Sequence, residues 1–162
     1  IYGLASLYDV SDDKAQREVY LNTAERAIAW LRAQVSPECG GWLKEALCIP
    51  LTGQDTATLG NSALSALALL IYAESTGVTR HLNFTEGLLY FLLEMQRGAG
   101  DFHHVYKLSD GSVEADSRSM FASEQAAFAF VLAAKRWPEG PWLKGPGPKV
   151  VLKGTEPNVA SS

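Results

Sequence analysis

Cysteine, methionine and histidine are scarce in this chain of 162 residues, with two, two and three copies respectively. Cys39 and Cys48 form no C-x-x-C pair and have no histidine nearby, so zinc is not expected there. Two free thiols are the plainer expectation, and a disulfide closing the loop is the alternative in an exported protein. No apolar run is long. The stretch from Ala63 to Ala73 covers about eleven residues where a bilayer span needs about 20, so no membrane helix is expected. A basic stripe is missing too: fourteen Lys and Arg face eighteen Asp and Glu, for a net charge of -4. Nothing here would neutralise a phosphate backbone, and nucleic acid is not an expected partner. The chain contains no G-x-S-x-G elbow, P-loop, dinucleotide fingerprint or H-E-x-x-H helix. Serine-nucleophile, nucleotide and zincin chemistries therefore lose support, and no metal or cofactor is expected.

What remains is a chain that is 47% apolar and 20% charged, the composition of a soluble globular protein of about one domain. Its organising feature is a repeat. Tyr20-Leu21-Asn22 leads into TAERAIAWLRAQ, and His81-Leu82-Asn83 leads into FTEGLLYFLLEMQ. Each segment runs into a glycine plus aromatic, Gly40-Gly41-Trp42 and Gly100-Asp101-Phe102. Each unit then enters an Ala-rich segment, NSALSALALL from Asn61 and EQAAFAFVLA from Glu124, aligned at Ala63/Ala126, Ala66/Ala129 and Leu69/Leu132. Asn83-Phe84-Thr85 matches a glycosylation sequon at a helix start and carries no weight against chance.

Tyr20, Ala24, Ala27, Ile28, Leu31 and Val35 make one apolar stripe, so this first segment is an amphipathic outer helix. NSALSALALLIYA is apolar nearly all round, as befits an inner helix. The opening IYGLASLYDV matches the end of that segment, Leu7-Tyr8 standing where Ile71-Tyr72 stand, and the chain reads as a portion of a longer protein. The fold expected is all-α: a partial α/α toroid of helical hairpins over residues 1–137, with one short β-hairpin in a connecting loop, or else a shorter helical solenoid or bundle. That hairpin is VYKL and SVEA around Asp110-Gly111. Residues 138–162, rich in Pro, Gly and Lys, form an extended tail. Four helices and a partial one cannot close a ring, so further chain, or a partner such as a second copy, is expected to cover the open flank.

The junction between helices resembles the QW repeat of the terpenoid cyclase and prenyltransferase superfamily. It reads Gly87, Phe91-Leu92, Gln96, Gly100, Phe102 in the second unit and Arg26-Ala27, Trp30-Leu31, Gln34, Gly40, Trp42 in the first. In physical terms the Gln amide satisfies orphan groups at a helix end, Gly permits the reversal and the aromatic plate closes the gap. Similar units are found in six-hairpin glycosidases, sugar epimerases and α/α-barrel polysaccharide lyases. The Asp-rich acid motif of class II cyclases and the zinc ligands of a prenyltransferase are not in this chain. The resemblance thus implies a carbohydrate-active protein with a saccharide ligand, ahead of a non-catalytic helical repeat module and, third, a terpenoid cyclase.

In such toroids the substrate sits in a bowl where the inner helices begin, walled by the outer-to-inner loops, here Gly40 to Leu59 and Gly100 to Ser123. Two carboxyl groups about 5 to 9.5 Å apart there could cleave a glycosidic bond. The catalytic candidates are Glu124, His104 and Asp101; the substrate-binding candidates are His103, Tyr106, Arg118 and Asn61. Consecutive histidines on an extended segment point to opposite faces, so at most one of His103 and His104 is expected to face the bowl. Tyr106 either stacks on a sugar or packs beneath the loop. Asp101 either acts on substrate or completes a turn. Asp116 and Ser119 are candidate N-caps for the last helix. Glu124, opposite Asn61 in the repeat, is expected in the first turn of its helix.

Overall fold

The computed structural model describes residues 1–37, 39–40, 43 and 45–143. The predicted junction residues Gly41 and Trp42, and the tail from residue 144 onward, lie outside the described residues. Five helices dominate: α1 (Tyr2–Val10), α2 (Lys14–Ala33), α3 (Leu59–Thr76), α4 (Leu82–Glu94) and α5 (Met120–Arg136). Two short strands, β1 (Thr56–Thr58) and β2 (Val105–Lys107), make one small sheet.

The helix ends are set by local chemistry. Asp13 caps α2, its Oδ1 accepting from the amides of Ala15 at 2.8 Å and Gln16 at 3.4 Å. Thr58 and Ser119 cap α3 and α5 through Asn61 N and Ala122 N. Gly77, at φ 71°, closes α3 in the left-handed conformation that glycine adopts without steric cost. Helix α5 stops at Arg136 because Trp137 precedes Pro138 and leaves the helical region, at φ -128° and ψ 81°.

Helix α3 is the centre of the molecule, packed against α1 on one flank and α5 on the other, with α4 behind. Ala63, Ala66, Ala126 and Ala129 are all fully buried, and these small side chains let α3 and α5 approach closely. Helix α2 lies against α1 and buries Ala24, Ile28 and Leu31, the stripe read from its periodicity. Helix α4 departs from the outer-helix pattern. Nine of its thirteen residues are buried, because the first long loop crosses its back. There Leu47 N donates to Gly87 O at 2.9 Å. A Cβ on Gly87 would lie 2.6 Å from Leu47 Cδ1, so glycine is what allows the crossing.

Two sequence expectations need correction. Cys39 and Cys48 are not free thiols but a disulfide, both residues fully buried with Cα atoms 5.6 Å apart. The antiparallel bridge between Ser36 and Cys48 brings the ends of that loop together, a long-range pairing that spacing alone does not encode. The β-hairpin turns at Asp110-Gly111, but its return limb is reduced to a single bridge, Tyr106 with Val113. The longer pairing joins the two units: Thr56 with Lys107, Ala57 with Tyr106, Thr58 with Val105. Beyond α5, residues Pro141–Leu143 form a 3-10 turn that sets the buried Trp142 ring against Tyr90, Phe130 and Trp137. No helix among the described residues is long and apolar enough to cross a membrane.

Candidate functional site

The β1–β2 pairing makes one tier of the two outer-to-inner loops, and Leu59 N donating to His104 O at 2.9 Å fastens that tier to the start of α3. The first turns of α3 and α5 meet beneath it, since a Cβ on Gly60 would touch Ala122 Cβ at 3.6 Å. The catalytic and substrate-binding candidates nominated from the sequence belong to this end of the molecule.

Asp101 completes a turn: its carbonyl accepts from Arg97 N at 2.7 Å, and its carboxylate lies 3.3 Å from the Arg97 guanidinium. The other arm of Arg97 donates to Ala115 O at 2.5 Å, tying the start of the loop to its end. His103 and His104 are both half-buried, and the Nδ1 of each is buried without a hydrogen-bond partner. Burial, reinforced by the Arg97 charge, holds the His103 imidazole below the usual histidine range. Tyr106 is buried, edge-on to Phe91 with ring centroids 5.7 Å apart, and burial pushes its hydroxyl up. It packs beneath the loop.

Asn61 stands in the first turn of α3, where its backbone N–H meets the Thr58 cap and its carbonyl accepts from Ser65 Oγ at 2.7 Å. Glu124 does not occupy the first turn of α5, which holds no acidic residue. The Ser119 cap starts that helix at Met120, a turn earlier than the Ala-rich pattern indicates, so Glu124 lies in the second turn. It is exposed, and no hydrogen bond or ion pair engages it among the described residues. Arg118 is exposed on the loop before the cap. Asp116 is exposed and makes no cap. Asp101, His103, His104 and Tyr106 thus all belong to the loop tier, with Tyr106 buried and the histidines half-buried, while Glu124 and Arg118 are exposed beside it.

Gln96 does less than its motif suggests: its amide Oε1 is buried without a partner, while its backbone pairs with Phe102. The polar support comes instead from Glu94, which the sequence reading passed over. Glu94 is 5% exposed, and its Oε1 accepts from Leu43 N at 2.5 Å, anchoring the first loop to the end of α4. A lone charge in FLLEMQ at the close of an apolar helix was the available signal.

At the opposite end lies a second polar group that sequence reasoning missed. Glu25 of α2 accepts from the Tyr72 hydroxyl of α3 and from Arg80 at 2.6 Å, and the His81 Nε2 lies 3.0 Å from its Oε2. Burial alone would raise the Glu25 carboxyl, but the hydrogen bonds from Tyr72, Arg80 and His81 outweigh it and hold the carboxyl below its ordinary value. Burial, then the bond to Glu25, pushes the Tyr72 hydroxyl up. The Tyr72 side chain is fully buried, so this group is a clamp from α2 to the α3–α4 turn. Arg80-His81 directly before α4 was its only trace in the sequence. Among the described residues no cluster of three or more His, Cys, Asp or Glu could hold a metal ion. No protein-family model, curated protein or solved structure matches this chain.

Proposed function

We propose that this chain is a portion of an α/α-toroid protein of the carbohydrate-active kind, binding or processing a saccharide at the loop end of its inner helices. The observation that carries the reading is Glu124. Its exposed, unengaged carboxylate sits three residues from Phe121, which is 72% exposed, on the same face of α5 near the loop tier. A carboxyl group moves a proton to or from a glycosidic oxygen, and an adjacent aromatic ring stacks on the apolar face of a sugar. One of the half-buried His103 and His104, in the loop tier beside it, supplies a further proton-transfer group.

The toroid part of the reading rests on the flanks. Tyr2, Leu7 and Val10 on α1, and Phe128 and Val131 on α5, are exposed apolar side chains on the two helices that border α3. Further hairpins of the same kind on either flank would bury them. The test is Glu124→Gln, assayed with uronic-acid and neutral glycans. Turnover should fall by about 100-fold or more, as for loss of a general acid or base. Unchanged turnover removes Glu124 from the mechanism.

A second reading has one specific observation in its favour. Glu124 and Arg118 face solvent, Asp101 is engaged by Arg97, and Tyr106 is packed away. Polar groups spread in this manner fit a helical repeat module that binds a partner through its loop tier, without catalysis.

A further inference from the structure

The face opposite the loop tier carries a cleft of about 330 Å³ between the C-terminal turns of α3 and α5 and the first turn of α4. Its floor is apolar, made by Leu70, Ala73, Leu82 and Leu132. Its rim is charged. Lys135 Nζ lies 2.6 Å from Glu74 Oε1, so those two charges offset one another. Arg136, beside them, has no ion pair among the described residues and gives the rim one surplus positive charge. Helix α4 enters the cleft at Leu82 without a side-chain cap, and the carboxylate nearest its start, Glu25, is engaged by its N-cap residue His81 and by Arg80. Gly77 lines the same opening, and a Cβ there would meet no atom within 4 Å, so the mouth is open.

An apolar floor of this volume with a few charged groups at one edge has the make-up of a small-molecule site. We propose that this cleft binds a small amphipathic anion, a carboxylate carried on a short apolar chain or ring. The apolar body lies on Leu70, Ala73, Leu82 and Leu132, and the carboxylate faces Arg136. Arginine suits the role because its planar fork holds a carboxylate by two parallel hydrogen bonds. The site is independent of the saccharide reading, since it involves neither Glu124 nor either histidine of the loop tier.

The test is a titration of the full chain with octanoate and with octanol, followed by amide chemical shifts. Octanoate should shift Gly77 and Leu82 saturably, and octanol should bind about tenfold more weakly. Arg136→Gln, an exposed change that leaves the core intact, should weaken octanoate by about tenfold and leave octanol unaltered. Glu74→Gln, which frees Lys135, should tighten octanoate. Ala73→Leu, which fills the floor, should weaken both ligands. Equal affinity for acid and alcohol, indifference to Arg136→Gln, or shifts confined to residues outside the cleft would each overturn the proposal. So would the absence of saturable binding.

Discussion

Acid sensitivity is where single residues leave a measurable mark. His103 is held below the usual histidine range and Glu25 below its ordinary value of 4.5. In both cases the unfolded state takes up protons more readily, so stability falls as pH falls. The His103 contribution is present above the ordinary imidazole value of about 6.5 and is lost as pH drops through the lower folded value. The Glu25 contribution is present above 4.5 and is lost below it, through the depressed folded value. Urea midpoints measured from pH 8 to pH 3 should therefore decline in two stages. His103→Gln should flatten the first and Glu25→Gln the second. At neutral pH, Tyr72→Phe should cost about 1–2 kcal/mol, since it removes a hydrogen bond to a charged acceptor from a buried site.

Single residues are also where the sequence was hardest to read. Tyr106 and Phe91 carry the same letters whether a ring stacks on a ligand or on its neighbour, and only the β1–β2 pairing decides that Tyr106 lies beneath the loop. Glu25 is 47 residues from Tyr72 and 56 from His81, and the three share no motif. They meet because the α3–α4 turn returns to α2, a tertiary event with no local signature.

Elements were far more legible, because periodicity is local. The stripe on α2 and the all-round apolarity of α3 follow directly from side-chain spacing, and the alignment of Ala63 and Ala66 with Ala126 and Ala129 marks the α3–α5 contact. What periodicity does not contain is where loops cross. Helix α4 is buried on its back because Leu47 lies over Gly87. Gly87→Ala should cost about 1–3 kcal/mol by overpacking, read as a lowered urea midpoint with unchanged helix content. The disulfide stands at the same scale. It closes a loop of nine-residue separation beside α4, and its reduction should destabilise the fold by about 2–3 kcal/mol. Thermal melts with and without reductant should differ accordingly, while Cys39→Ala/Cys48→Ala should melt alike in both.

For the whole molecule, the helical hairpins arrange themselves so that every loop residue nominated from the sequence comes to one end, while a clamp and an amphipathic cleft occupy the other. The repeat alone implies that polarity: two units of like sequence, packed side by side, place like loops on the same face. Closure of the array does not follow from the repeat, because it depends on what packs against Phe128 and Val131 on one flank and Tyr2, Leu7 and Val10 on the other. The proposed recognition of a saccharide at the loop end is put to the test by mapping amide chemical shifts of the full protein against a panel of neutral and uronic-acid oligosaccharides. Saturable shifts at His103, His104, Phe121 and Glu124, weakened in Glu124→Gln, are the predicted result. A panel that leaves those four residues unmoved would contradict the claim.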